Sequence, residues 1–149
     1  MHRRDRRGWA AAATASAVVV LVGCSPSGPT YSGLDTERTP EDELPPSIET
    51  NSFRSETSRL VHQDEDYAYY LASPTNDPAE GRSDNICVVQ APLDDDRTWT
   101  SSCARTWATV GNGTQSVTAV PDGADVSRWI DRGWEQIHEN LLIPRPSDQ

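Results

Sequence analysis

The chain has 149 residues and a formal net charge of −10, with 23 carboxylate side chains, 13 arginines and no lysine. This length allows one small domain. The acidic balance argues against nucleic-acid binding, because a negative surface is repelled by phosphates and the sequence contains no basic patch.

Residues 1–23 have the organisation of a secretory signal peptide. Four arginines fall within the first seven residues, and an uncharged apolar stretch follows over residues 9–22. That stretch is shorter than the ~20 residues that a spanning helix needs. It ends in Leu21, Val22, Gly23 and Cys24, which form a lipobox and predict cleavage between Gly23 and Cys24. An ordinary signal peptide and a short uncleaved anchor are the alternatives.

Lipidation of Cys24 would place the protein on the extracytoplasmic face of the cell membrane. A diacylglycerol group carries two acyl chains, and two chains anchor a protein stably where one holds it only marginally. The removed segment contains four arginines and one aspartate, so cleavage lowers the net charge from −10 to −13.

Residues 24–46 are predicted to be a disordered tether. Proline, glycine, serine and acidic residues dominate this stretch, which leaves too little apolar surface for a core. A flexible coil of this length would reach ~25–30 Å. Pro26 and Pro29 also form a P-x-x-P motif, so a recognition segment is the alternative.

Residues 47–143 are the predicted folded domain, and residues 144–149 are a tail. A helical turn near Ser47 would present Ile48 and Phe53. Residues 59–63 and 67–72 then have strand composition and are separated by three acidic residues, which indicates a hairpin. Residues 74–85 have the composition of a loop.

The second of these strands contains Tyr67, Tyr69 and Tyr70. Side chains alternate between the two faces of a strand, so all three tyrosines are not expected to point into a single core. The pattern predicts at least one exposed aromatic ring and makes the three tyrosines a candidate ligand face. A partly covered tyrosine with its hydroxyl in water is the alternative.

Residues 86–93 and 97–103 indicate a second hairpin, joined by a three-residue loop. This register places Cys87 directly opposite Cys103, at a Cα separation of ~4.5–5.5 Å, which suits a disulfide. With Cys24 lipidated, an even pair remains in an oxidising compartment. A zinc site is the alternative, but the spacing of ligands is wrong for it. One face of the hairpin should be buried, consisting of Cys87, Val89, Ala91, Leu93, Trp99 and Cys103.

Residues 107–110 and 115–120 flank the turn signature Gly111, Asn112 and Gly113. Residues 125–141 fit either one long amphipathic helix or a short helix ended by Gly133 and followed by two strands. We prefer the second interpretation, with a turn at residues 139–140.

Candidate catalytic groups are few. The acidic runs at residues 64–66 and 94–96 do not match a calcium-binding loop. His62 and His138 are candidate acid–base groups, but no nucleophile motif accompanies them. We therefore predict no catalytic residue, no metal and no cofactor.

Several short pieces lie in a familiar order at residues 59–61, 69–70, 86–89, 102–103, 120–123, 133–134 and 140–143. In these pieces the chain resembles an uncharacterised family of small actinobacterial cell-envelope lipoproteins. The resemblance implies a secreted, membrane-tethered domain with a disulfide between Cys87 and Cys103. It transfers no catalytic residue.

Together these features predict an α+β domain that is mainly β. It would contain a small antiparallel meander sheet, one or two short helices and a disulfide-linked hairpin. The predicted function is a non-enzymatic binding or structural module for an envelope protein or small ligand. The alternative is an accessory enzyme or inhibitor of cell-wall metabolism. That alternative requires His62 or His138 in a concave pocket with a carboxylate in hydrogen-bond reach.

Overall fold

The structure, a computed structural model, describes residues 28–75, 84–94, 96–111 and 115–145. The predicted signal peptide, the cleavage site at Gly23 and the lipidated Cys24 lie outside these residues. So do part of the predicted loop (76–83) and most of the tail (146–149). Within the described ranges, no helix is long and apolar enough to cross a membrane.

The described strands form two antiparallel sheets of four strands each. The first is a meander of β1 (Arg59–Gln63), β2 (Tyr67–Ala72), β3 (Ile86–Pro92) and β4 (Thr100–Ala104). The second contains β5 (Ala108–Gly111), β6 (Ser116–Ala119), β7 (Trp134–His138) and β8 (Leu141–Pro144), in the spatial order β5-β6-β8-β7. A short helix, α1 (Ser127–Ile130), and 3-10 turns at Ser32–Leu34, Pro40–Asp42 and Ser55–Thr57 complete the fold. The mainly β, α+β class is confirmed, with its strands divided between two sheets.

The main core lies between the two sheets. The first sheet contributes alternate residues of β2 and β3, and the second contributes alternate residues of β5 and β6. Its buried members are Tyr31, Tyr67, Tyr69, Leu71, Ile86, Val88, Ala108, Val110, Val117, Ala119 and Leu141. The molecule is therefore a β-sandwich, in which the inner faces of both sheets supply the core.

A second core covers the outer face of the first sheet. Leu44, Ile48 and Phe53 pack there against the other alternate residues of β2 and β3. Both strands are therefore buried on both faces, and all six residues of β2 are buried. Continuous apolar runs are typical of strands covered on both sides.

The prediction of an exposed tyrosine is wrong, because β2 has no solvent face. Tyr67, Tyr69 and Tyr70 are 5 %, 2 % and 5 % exposed. Tyr67 and Tyr69 belong to the core between the sheets, and Tyr70 belongs to the core beneath residues 44–53.

The disulfide between Cys87 and Cys103 is confirmed, and the two residues are direct partners in the β3–β4 ladder. The ladder ends at the pair of Gln90 and Thr100, so the predicted register does not continue toward the turn. Leu93 is 48 % exposed, contrary to the predicted buried face. A local turn accounts for this, because the Arg97 amide donates a hydrogen bond of 3.1 Å to the Asp94 carboxylate.

The prediction of a disordered tether is wrong for residues 28–46. Tyr31, Gly33, Asp42 and Leu44 are buried there. The Asp42 carboxylate accepts hydrogen bonds from the amides of Thr39 and Leu60, at 2.7 and 2.6 Å. A few apolar anchors and long-range hydrogen bonds fix this segment, although its average composition is polar. Residues 24–27 lie outside the described part.

The first and last hairpins agree with their predictions. β1 and β2 are antiparallel, and their turn uses no glycine because the Asp64 carboxylate accepts the amides of Asp66 and Tyr67, both at 2.8 Å. In the C-terminal region, Gly133 has φ +85° and separates α1 from β7. The interpretation of a short helix followed by two strands is confirmed.

Candidate functional site

The two histidines line neither the cleft beside the β3–β4 hairpin nor the cleft beside Trp107 and Trp129. His62 is on β1, with its ring centroid 5.9 Å from that of Tyr69. His138 ends β7, and its Nδ1 accepts a hydrogen bond of 3.1 Å from the Asn140 amide. Among the described residues, neither histidine forms a hydrogen bond or ion pair with a carboxylate. His62 does lie close enough to Asp64 for its charge to help lower the pKa of that carboxyl.

The buried tyrosines act as structural groups. The Tyr69 hydroxyl donates a hydrogen bond of 2.8 Å to the Asp64 carboxylate, and burial together with this bond raises the pKa of Tyr69. Burial raises the pKa of Asp64, but the hydrogen bonds from Tyr69, Asp66 and Tyr67 outweigh it, and the net shift is downward. The Asp64 carboxylate is therefore charged and accepts three hydrogen bonds within the first hairpin.

An open cleft of about 520 Å³ lies between the N-terminal segment and the β3–β4 hairpin. We call it the hairpin cleft. Its apolar lining comes from Pro45, Ile48, Pro92, Leu93 and Trp99. Ser47, Asp94, Arg97 and Thr98 add polar lining of about equal extent. Ligand sites combine apolar walls with polar groups that orient the ligand.

Trp99 is fixed at one side of the hairpin cleft. Its indole Nε1 donates a hydrogen bond of 3.1 Å to the carbonyl of Ser47, which joins the hairpin to the N-terminal segment. The ring therefore has a defined position before any ligand arrives. Leu93 lies on the same cleft and keeps 48 % of its surface exposed.

Arg97 forms the polar side of the hairpin cleft. Its guanidinium contacts the carboxylates of Asp66 and Asp94, at 2.9 and 2.5 Å, and lies 5.0 Å from the centre of the Tyr67 ring. The hydrogen bonds that the guanidinium donates to these carboxylates raise the pKa of Arg97. The guanidinium is thus balanced by two carboxylates, each with about half of its side chain exposed.

A second aromatic surface consists of Trp107, Trp129 and Trp134, which we call the tryptophan roof. The ring centroids of Trp107 and Trp129 are 5.8 Å apart in a stacked arrangement, and those of Trp129 and Trp134 are 4.7 Å apart, edge to face. Each tryptophan is partly exposed, and none belongs to either core. A cleft of about 290 Å³ beside the roof is also lined by Asp125, Arg128 and Arg132, so two guanidinium groups face one carboxylate there.

Sequence reasoning missed the roof because no local pattern brings Trp107 next to Trp129, 22 positions later. The positions of two of these tryptophans in the sequence could have indicated an exposed surface. Trp129 and Trp134 lie on either side of Gly133, in a short helix and an edge strand that leave little room to bury an indole completely.

Metal-binding geometry is not found in the described ranges, where no three or more histidine, cysteine, aspartate or glutamate side chains cluster suitably. The carboxylates of Asp64 and Asp94 are engaged by neighbouring amide, hydroxyl or guanidinium groups.

Comparison of the chain with protein-family models, with curated proteins and with solved structures gave no match.

Proposed function

We propose that the protein is a lipid-anchored extracytoplasmic binding module, held by Cys24 and using the hairpin cleft as its ligand site. The cleft is the observation that carries the proposal. It is concave, combines apolar and polar lining in about equal measure, and is bordered by the fixed indole of Trp99. The resemblance to actinobacterial envelope lipoproteins supports the same location.

The sequence and the fold support an extracytoplasmic setting in different ways. The lipobox supplies the anchor, and the disulfide between Cys87 and Cys103 suits an oxidising compartment. In the described residues neither histidine lines the hairpin cleft or is hydrogen-bonded to a carboxylate, which supports binding over catalysis at this site.

The cleft favours a ligand with an apolar body and a cationic group. Ile48, Leu93 and Trp99 would contact the apolar part. Asp66 and Asp94 keep about half of their side chains exposed at the Arg97 edge and would attract the cation. An extended segment of an envelope protein with this composition would satisfy both features.

The anchor is tested by replacing Cys24 with alanine and labelling cells with a radioactive fatty acid. The parent protein should incorporate label and fractionate with membranes, and the Cys24→Ala variant should incorporate none. An unlabelled parent protein would refute the lipid anchor.

The cleft is tested by photo-crosslinking in the envelope of cells that make the full protein. A photoreactive residue at Leu93 should give a discrete adduct that the Trp99→Ala substitution abolishes. The same residue at Thr109, which is exposed on β5, is the control and should give none. Equal adducts from both positions, or no adduct from Leu93, would contradict the assignment of the cleft.

A further inference from the structure

We infer that the tryptophan roof is a second membrane contact, which lies in the headgroup region of the bilayer that holds the anchor. This inference rests on the proposed lipid anchor at Cys24. It adds an orientation, in which the second sheet faces the membrane and the hairpin cleft does not.

The first support is the place where the chain enters the fold. The carbonyl of Thr30 accepts a hydrogen bond of 2.9 Å from the Asp122 amide, shortly before α1. The Tyr31 hydroxyl donates to the carbonyl of Thr106, the residue next to Trp107. The entry point of the chain therefore borders the tryptophan roof.

The second support is distance. Thr30 follows Cys24 by only six positions. Six residues span at most about 20 Å even when fully extended. A lipidated Cys24 would therefore keep the entry point close to a headgroup layer that is itself about 5–8 Å thick on each side. The roof, which includes the residue after Thr106, would then lie near the bilayer as well.

The third support is the distribution of charge. Residues 28–104 contain 16 carboxylates and five arginines, so their net charge is −11. Residues 105–145 contain five carboxylates and four arginines, so their net charge is −1. An anionic headgroup layer would repel residues 28–104 much more strongly than residues 105–145. This difference in repulsion favours an orientation with the second sheet toward the membrane.

The chemistry of the roof suits this position. Tryptophan is enriched at the membrane–water interface, where its ring lies at the level of the headgroups. Arg128 and Arg132 are exposed beside Trp129 and would donate hydrogen bonds to lipid phosphates. A sugar ring stacked on the tryptophans is the competing occupant.

Fluorescence quenching by brominated lipid tests the contact directly. We would use the chain from Cys24 to Gln149, which contains every described residue, with Trp99→Phe so that all emission comes from the roof. Cys24 is coupled through its thiol to a maleimide lipid in vesicles of brominated phosphatidylcholine with a minor share of phosphatidylglycerol. Chemical coupling supplies the anchor whether or not cells lipidate Cys24, so failure of the proposed function does not decide this result.

The fluorescence of the roof tryptophans should be mostly quenched in brominated vesicles, compared with vesicles of ordinary lipid. The double substitution of Arg128→Glu with Arg132→Glu should reduce this loss. The matched control is Arg38→Glu with Arg54→Glu, which makes the same charge change at exposed residues of the acidic part and should leave the loss unchanged.

Unchanged emission in brominated vesicles would overturn the inference. Equal effects of the two charge pairs would also overturn it, because general repulsion would then explain the binding. A shift of roof emission with soluble peptidoglycan fragments, without quenching by lipid, would assign the surface to sugars instead.

Discussion

The fully buried side-chain amide of Asn140 donates a hydrogen bond of 2.8 Å to the Asp122 carboxylate, and its carbonyl accepts one of 2.8 Å from the Gly33 amide. Asn140 lies in the turn between β7 and β8, whereas Gly33 lies in the first 3-10 turn. One side chain therefore fastens the N-terminal segment to the second sheet.

Replacing Asn140 with alanine should lower the free energy of unfolding by about 2–4 kcal/mol, because buried partners lose their hydrogen bonds. Urea denaturation measures this change. The exposed Asn85, whose side chain donates to the carbonyl of Arg105, is the control, and Asn85→Ala should cost less than about 1 kcal/mol. Equal effects of the two substitutions would contradict the central role of Asn140.

Adding a methyl group at Gly33 should destabilise the fold. A Cβ there would lie 3.1 Å from Asn140 Oδ1, 3.1 Å from Leu71 Cδ1 and 3.2 Å from Val61 Cγ1. Gly33→Ala should therefore cost about 1–3 kcal/mol in thermal or urea unfolding, since this region is already closely packed.

Gly28 is the matched control for that substitution. A Cβ at Gly28 would meet nothing within 4 Å. Gly28→Ala should leave stability unchanged or raise it by a few tenths of a kcal/mol through the unfolded chain. If Gly33→Ala were as harmless as Gly28→Ala, residues 28–46 would be no part of the cooperative fold.

Stability should fall in acid because of Asp122. Burial raises the pKa of Asp122, but hydrogen bonds from Ser32, Asn140 and Thr30 outweigh it and lower the pKa to about 2. The unfolded value is about 3.9, so this contribution to stability is complete above that pH and disappears as the pH falls through 2.

The midpoint of urea unfolding, measured between neutral pH and pH 2, checks this dependence. Asp122→Asn should flatten the acid limb of the curve and be less stable than the parent protein at neutral pH. An unchanged acid limb would assign the dependence to other carboxylates, of which Asp42 has a pKa shifted in the same direction.

Loss of the disulfide should lower the free energy of unfolding. Cys87 and Cys103 are 16 positions apart, and closing a loop of this length stabilises a domain by ~3 kcal/mol in the chain-entropy model. The double substitution to alanine should lower unfolding free energy by about that amount. Alkylation and mass spectrometry of the unreduced parent protein should detect no thiol at either position, and labelling there would contradict the bond.

The elements that could be predicted from sequence are those set by local pattern. Paired cysteines equidistant from a turn determine the β3–β4 register, and Gly133 ends α1 through its positive φ. The folding of residues 28–46 could not be predicted in this way. Its partners, such as Asn140, are about a hundred positions distant, and composition averaged over a polar segment does not reveal single anchors such as Tyr31 and Leu44.

The candidate sites were harder to predict than the fold. The unbroken apolar character of β2 already favoured a strand covered on both faces, yet alternation alone suggested an exposed tyrosine. The hairpin cleft and the tryptophan roof depend on how distant segments meet. Trp99, for example, finds its hydrogen-bond partner in Ser47, 52 positions earlier in the chain.

The bond between Gly33 and Asn140 also sets an order of events during folding. The two residues are 107 positions apart, so this bond cannot form until almost the entire chain has been made. The first 3-10 turn is made early but is therefore among the last parts of the described fold to reach its final contacts.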